Sequence, residues 1–309
     1  MNNKKKKFVN MRRTNKNKTD IKNYSDIVTN AIPILNKYIW KLPPCKNRQG
    51  VTRHDYDKKT IIHVKTDLVS LEHPVIMISD LHYHTPIIFP KLAEYIDLSK
   101  CIVLTVGDMA GDLNVFGCDG DPTNEYKFMA ERAKEFYFVQ GNHDLPTTLT
   151  IDNIDNITHK DIKNNQDKNA FIENGKTINS LVGQISGVNG IISDRRHPYK
   201  LPYRKYLDFI KQGLEKKPDI LMTHDTPKIN DGLSFFRKGE GQEYLFSLVD
   251  KYKPKIHLYG HCHHWDWHTY INGVNYICAD ARIIIFEPSK VNSNDYLLKD
   301  LADEDFITN

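Results

Sequence analysis

The chain has no stretch of about 20 apolar residues that could cross a membrane, and only five of its 309 residues are cysteines. No two cysteines have a Cys-x-x-Cys spacing, which argues against a disulfide framework and against a thiolate zinc site. The basic N-terminus is not followed by an apolar signal segment, because proline, asparagine and lysine interrupt the next apolar run at 32–40. We therefore predict a protein of a reducing compartment, in the cytoplasm.

A large excess of one charge is also absent, since the formal net charge is only +4. The basic residues are nevertheless unevenly distributed. The first twenty residues contain Lys4, Lys5, Lys6, Lys7, Arg12, Arg13, Lys16 and Lys18. Such a segment is typical of a solvated, disordered tail. The alternative is a contact with nucleic acid or with another anionic surface, and the composition alone does not decide between the two.

Short apolar runs alternate with helix-like stretches over most of the chain. The runs, each predicted as a strand, are 74–79, 101–106, 135–140, 219–223 and 255–259. The helix-like stretches are 90–98, 124–134, 202–216 and 241–252. This alternation predicts an α/β fold with a largely parallel, buried sheet.

Other segments carry weaker local signals. Residues 24–38 have mixed helical spacing, and 60–65 is rich in β-branched residues, which favours a strand. Residues 276–279 and 283–286 are predicted as two strands that form a hairpin. The polar stretch 145–180 is predicted as a solvated loop, with a substrate-facing insertion as the alternative.

Each of the five predicted strands ends in residue types that bind metal ions. In chain order these are Asp80 and His82, then Asp108, then Asn142 and His143, then His224, and finally His261 and His263. Ligands of open α/β sheets gather at the carboxyl ends of strands. Carboxylate, imidazole and amide oxygen together suit a divalent ion such as Mn²⁺, Fe²⁺ or Zn²⁺. The sequence therefore predicts a metal site at these strand ends.

The same blocks carry a family resemblance. The chain resembles the calcineurin-like metallophosphoesterases, and the similarity covers about 72–288. The matching blocks are Asp80-Leu81-His82, Gly107-Asp108, Gly141-Asn142-His143-Asp144, Thr223-His224 and Gly260-His261-Cys262-His263. The resemblance implies a four-layer α/β/β/α sandwich of two mixed sheets.

The resemblance also implies a role for each block. The first of two divalent metal ions would be bound by Asp80, His82, Asp108 and His263. The second would be bound by Asp108, Asn142, His224 and His261, so that Asp108 bridges the pair. Manganese, iron or zinc would fit, with manganese the expected ion in vitro. His143 would act as general acid or contact a phosphate oxygen.

One part of the family pattern is missing. Many members have a second aspartate three residues after the aspartate of the second block, followed by arginine. Here that position is Gly111, no arginine follows, and Asp112 comes one residue late. Asp112 is the candidate to serve His143 from a shifted loop, with an ordinary loop or helix-cap carboxylate as the alternative. Asp119 lies in the Gly/Asp-rich stretch that follows, which is predicted as a plain turn, with a substrate loop as the alternative.

These observations predict a hydrolase that cleaves phosphate esters with water activated between two metal ions. The alternatives are a metal-dependent nuclease or nucleotide phosphodiesterase, and a non-catalytic metal-binding scaffold of the same fold. We expect a basic tail at 1–22, an N-terminal extension packed on the core at 23–70, a metallophosphoesterase domain at 71–288 that includes the polar insertion 145–180, and a C-terminal tail at 289–309.

Overall fold

The structure is a computed structural model. It describes residues 32–46, 51–53, 58–110, 119–145, 169–195, 197, 199–229, 239–262, 266–299 and 306–308. The strands are β1 (Ile34–Lys41), β2 (Cys45–Lys46), β3 (Thr52–Arg53), β4 (Lys58–Lys65), β5 (Val75–Ser79), β6 (Ile102–Thr105), β7 (Glu135–Phe138), β8 (Asn169–Phe171), β9 (Thr177–Ser180), β10 (Gly183–Val188), β11 (Ile191–Ile192), β12 (Lys200–Leu201), β13 (Ile220–Thr223), β14 (Ile256–Tyr259), β15 (His268–Ile271), β16 (Val274–Cys278), β17 (Arg282–Glu287) and β18 (Phe306–Thr308). The helices are α1 (Thr85–Tyr95), α2 (Thr123–Arg132), α3 (Tyr203–Leu214) and α4 (Glu240–Tyr252). Among these helices, none combines the length and apolarity that a membrane span needs.

Most strands belong to two mixed sheets. The larger sheet has the order β18-β1-β4-β17-β5-β6-β7-β8, and the smaller has the order β15-β16-β14-β13-β10-β9. Strands β5, β6, β7 and β8 run parallel to one another, as do β10, β13, β14 and β16 in the smaller sheet. The carboxyl ends of these parallel strands therefore meet at one edge of each sheet, where ligands are expected.

The two sheets pack face to face with helices on both outer sides. Met77 and Leu104 of the larger sheet pack with Met222 and Leu258 of the smaller sheet in a shared apolar layer. Helices α1 and α2 cover the outer face of the larger sheet, and α3 and α4 cover that of the smaller sheet. The predicted four-layer α/β/β/α arrangement is thus confirmed. It explains why strands such as β5 are apolar at nearly every position, since both of their faces are buried.

Two local predictions are wrong. The helix predicted at 24–38 is contradicted in its described part, because β1 is a strand paired with β4 and β18. The predicted hairpin at 276–286 does not form either: β16 belongs to the smaller sheet and β17 to the larger one, where it lies between β4 and β5. Both strands are apolar enough for a hairpin. Instead, β16 pairs with β14 and β15, and β17 pairs with β4 and β5.

The polar stretch 145–180 is only partly a loop. Residues 146–168 lie outside the described residues, but β8 adds to the edge of the larger sheet and β9 adds to the edge of the smaller one. The basic tail 1–22 also lies outside the described residues.

Candidate metal centre

The predicted ligands that the structure describes converge where the carboxyl ends of both sheets meet. The loops that carry them are joined by backbone hydrogen bonds. Asp80 N donates to Gly107 O at 3.0 Å, and His82 N donates to Asp108 O at 2.8 Å. In the smaller sheet, Gly260 N donates to His224 O at 3.3 Å. The ligand-bearing loops are therefore parts of one framework.

Two groups of side chains have the composition and spacing of a metal site. Asp80, His82 and Asp108 form one group, and Asp108, His224 and His261 form the other. Within each group the potential ligand atoms lie within 4.8 Å of one another. Asp108 belongs to both groups and is 2% exposed. One carboxylate is therefore placed to contact two neighbouring ions.

Two buried atoms test whether these residues fit a metal ion. The side-chain oxygen Oδ1 of Asn142 and the ring nitrogen Nε2 of His224 are buried without a hydrogen-bond partner among the described residues. Nε2 of His224 lies 3.3 Å from Oδ2 of Asp108, without the alignment of a hydrogen bond. The other ring nitrogen, Nδ1, is hydrogen-bonded to the carbonyl of Val106 at 2.7 Å, as metal-binding histidines commonly are. Such unsatisfied atoms are costly unless they have a ligand, so the residues fit a divalent cation.

The backbone is strained at the ligand positions. Asp80, His82, Asp108 and His261 all have positive φ angles, between 51° and 68°. Each residue held in this region costs about 1–3 kcal/mol, and such strain clusters at functional sites. At Gly260 a Cβ atom would overlap Ser79 Oγ and Asp80 Oδ2. Glycine at this position therefore lets the last ligand loop approach the first.

Asp144 holds the second and third ligand loops together. Its carboxylate is fully buried and accepts hydrogen bonds from the backbone of Asp108, Met109, Ala110 and Gly141 at 2.8–3.0 Å. It also accepts one from the Tyr126 hydroxyl at 3.1 Å. This residue therefore fixes the loop conformation that presents Asp108 and Asn142.

Two further buried charges lie beside the first group. Lys59 of β4 donates from Nζ to the carbonyl of Asp80 at 2.9 Å and is 5% exposed. Asp280, just after β16, is 3% exposed and pairs with Ser79 in an isolated β-bridge. Asp280 lies between the two strands predicted as a hairpin and was not predicted as a site residue, although an acidic residue after an apolar strand is the same signal that identified Asp80 and Asp108.

The charges of the centre perturb one another strongly. Burial and the nearby Asp280 raise the pKa of Asp80 to about 7. Burial lowers the pKa of His261 to about 3 and that of His82 to about 4. Burial would also lower the pKa of His224, but the adjacent Asp108 reverses the effect and raises it to about 10. Without a metal ion, the centre therefore holds an aspartate and an imidazolium side by side.

His143 lies at the rim of this centre. Its ring centroid is 5.7 Å from that of His82, and its backbone N–H donates to Asp108 Oδ1 at 2.8 Å. Its Nδ1 lies 2.8 Å from Oδ1 of Asp119. Asp119 therefore contacts the predicted general acid, and its position in a Gly/Asp-rich stretch gave no signal of this in the sequence. Asp112, predicted for that position, and the predicted ligand His263 both lie outside the described residues.

Two packed sheets with carboxylate and imidazole side chains grouped at adjoining strand ends define an α/β protein with side chains that could hold a metal ion. The comparison with protein families is more specific, because residues 73–265 match the family model described as calcineurin-like phosphoesterase. The chain belongs to this family. No curated protein is significantly similar to it in sequence.

Solved structures with a similar fold include TT1561 of Thermus thermophilus, with 14% sequence identity and a TM-score of 0.45, over 68% of this chain and 90% of that one. Another is the phosphopantetheinyl hydrolase PptH from Mycobacterium tuberculosis, with 15% identity and a TM-score of 0.39, over 77% of this chain and 99% of that one.

Proposed function

We propose that the chain is a hydrolase that cleaves phosphate esters with the help of two divalent metal ions. The observation that carries the proposal is the membership of Asp108 in both potential ligand groups. In the proposal, His263 completes the first group, and Asn142 completes the second. Membership of the calcineurin-like phosphoesterase family supports this assignment.

In this proposal, residues of the chain have separate roles around the reacting phosphate. Two bound divalent ions would supply a water of lowered pKa and neutralise charge on the phosphoryl oxygens. Asp108 belongs to both ligand groups, and its Oδ1 accepts a hydrogen bond from the backbone N–H of His143. Asp119 contacts Nδ1 of His143, which leaves Nε2 as the atom that can give a proton to the leaving oxygen.

Replacing Asp108 tests the shared carboxylate. We expect wild-type protein to bind two manganese ions per chain, and we expect Asp108→Asn to lose metal binding and turnover together. Metal content is measured by mass spectrometry after dialysis, and turnover with 2-glycerophosphate, p-nitrophenyl phosphate and its bis ester. An Asp108→Asn protein with full activity would contradict the assignment.

His143→Ala is the matched variant, because it lies beside the centre without being proposed as a ligand. It should keep both ions and lose turnover of 2-glycerophosphate by a factor on the order of 10²–10⁴. Hydrolysis of the bis ester by the wild type would favour the phosphodiesterase alternative. Full metal binding with no turnover of any ester, with manganese, iron or zinc, would favour the non-catalytic scaffold.

A further inference from the structure

A second imidazole contacts the carboxylate that holds His143. Nδ1 of His143 lies 2.8 Å from Oδ1 of Asp119, and Nε2 of His197 lies 3.1 Å from Oδ2 of the same carboxylate. Among the described residues, these two histidines are the hydrogen-bond partners of the Asp119 side chain. Each oxygen of the Asp119 carboxylate therefore contacts a different imidazole ring.

His197 lies between β11 and β12, and β11 is hydrogen-bonded to the loops of the metal centre. Ile192 N donates to Asp225 Oδ2 at 2.8 Å, and Gly190 N donates to Gln140 O at 2.8 Å. Asp225 directly follows the proposed ligand His224, and Gln140 lies two residues before Asn142. The framework that places the ligands therefore also places β11, and at the start of β12 the backbone N–H of Lys200 donates to the carbonyl of His197 at 3.1 Å.

The exposure of Asp119 explains why a second partner matters. Its side chain is 36% exposed, whereas that of Asp108 is 2% exposed. A partly exposed carboxylate with one hydrogen bond can rotate away from its partner, and small misplacements of a catalytic group are costly. The contact from His197 to the second oxygen opposes that rotation.

We propose that His197 is a positioning residue for the general acid, acting through Asp119 to orient the ring of His143. This inference rests on the proposed function. In the reaction, the oxygen of water forms a bond to phosphorus as the bond to the leaving oxygen breaks. The leaving oxygen takes the proton from Nε2 of His143, and the proton released by water goes to solvent.

The test compares leaving groups that need a proton with leaving groups that do not. An alkoxide leaves poorly without protonation, whereas p-nitrophenolate leaves well. We expect His197→Ala to lower kcat for 2-glycerophosphate on the order of tenfold and kcat for p-nitrophenyl phosphate by less than about twofold, with KM and metal content unchanged. His197→Gln keeps an N–H donor near the position of Nε2 and should restore most of the lost rate.

Two controls establish that the effect passes through Asp119. In an Asp119→Asn background, His197→Ala should cause no further loss, because the two residues act in series. His73→Ala changes a histidine that precedes β5, at the opposite end of that strand from Asp80, and should leave kcat unchanged for both substrates. Additive losses, equal losses for both leaving groups, or a loss of metal from His197→Ala would each overturn the proposal.

One measurement separates this inference from the proposed function. In zinc-loaded protein labelled with ¹⁵N-histidine, we expect the ring N–H of His143 that faces Asp119 to give a sharp, slowly exchanging proton resonance. His197→Ala should broaden it, and His197→Gln should not. An unchanged resonance in His197→Ala would overturn the positioning role. If the two variants give these results and the wild-type protein hydrolyses no ester, only the proposed function is refuted.

Discussion

At the scale of single residues, the atoms that could bind a metal ion are also atoms that bind protons. The pKa of His224 is raised to about 10, because the attraction of Asp108 outweighs burial, and burial raises the pKa of Asp80 to about 7. The pKa of Asp108 stays well below its usual value, since His224 and His82 outweigh the effect of its burial. A metal ion needs the free imidazole and the free carboxylate, so it has to displace protons.

We therefore predict that metal binding releases protons. Below the His224 pKa of about 10 its proton has to leave, and below the Asp80 pKa of about 7 a second proton has to leave as well. Metal affinity should therefore rise with pH, and rise more steeply in the range where Asp80 is protonated. Titration calorimetry with manganese in buffers of different ionisation enthalpy measures the number released. A heat of binding in mildly acidic solution that does not depend on the buffer would contradict this description of the metal-free centre.

At the scale of structural elements, the ligands of the larger sheet depend on two loops that follow β6 and β7. Asp144 joins these loops through hydrogen bonds from the backbone of both. Removal of its carboxylate leaves several buried N–H groups without an acceptor, at about 1–3 kcal/mol for each group that stays unsatisfied.

We predict that Asp144→Ala lowers the free energy of unfolding of the metal-free protein by about 3 kcal/mol or more and weakens metal binding. Urea unfolding with EDTA and manganese titration measure the two effects. The control is Asp97→Ala, which removes a carboxylate that accepts the N–H of Ser99 in an exposed turn. It should cost about 1 kcal/mol and leave metal affinity unchanged. Equal effects of the two substitutions would show that Asp144 has no special role.

A helix or strand was predictable where a local sequence pattern determines it. The apolar runs before Asp80, Asp108 and His224 are strands in the structure, because burial on both faces forces continuous apolar sequence. The assignment of β16 and β17 to different sheets was not predictable, since their apolar patterns are alike and their partners are distant in sequence. Strand β1 was missed because most of its positions are exposed, so its sequence lacks the continuous apolar run of the buried strands.

The site was predictable for a different reason. A residue that could hold a divalent ion here carries a carboxylate, an imidazole or an amide oxygen, and it lies at a strand end. Its residue type and its position therefore identify it in the sequence. Asp119, Asp144 and Lys59 act through hydrogen bonds to other groups. Aspartate in a loop and lysine in a strand have many ordinary uses, and only the three-dimensional contacts distinguish these residues from the rest.

At the scale of the whole molecule, the two ends of the described chain meet in the larger sheet. Strand β4 pairs with β17, and β1 pairs with both β4 and β18. The buried carboxylate of Glu287, in β17, lies at this junction. Glu287 is 1% exposed and accepts from Lys65 Nζ at 2.7 Å and from the Tyr296 hydroxyl at 2.8 Å, and it lies 3.2 Å from His63 Nε2.

We predict that Glu287→Gln destabilises the protein at neutral pH by about 2 kcal/mol, because the amide cannot accept all of these hydrogen bonds. Burial alone would raise the pKa of Glu287, but Lys65, Tyr296 and Ser293 lower it below its usual value. A carboxylate with a lowered pKa contributes stability above the pKa of the unfolded chain, about 4.3, and this contribution disappears as the pH falls through the folded-state pKa. The difference between variant and wild type should therefore shrink in acid.

Urea unfolding of the metal-free proteins, from neutral pH down to a pH below the unfolded-state pKa, measures this dependence. Glu94→Gln serves as the control, since Glu94 is 51% exposed and pairs with Lys91 and Lys299 at the surface. It should change the free energy of unfolding by less than about 0.5 kcal/mol. A Glu287→Gln variant that unfolds with wild-type stability at neutral pH would contradict the role of this junction. Such a result would mean that the pairing of β4 with β17 holds the two ends of the chain together without the buried charge.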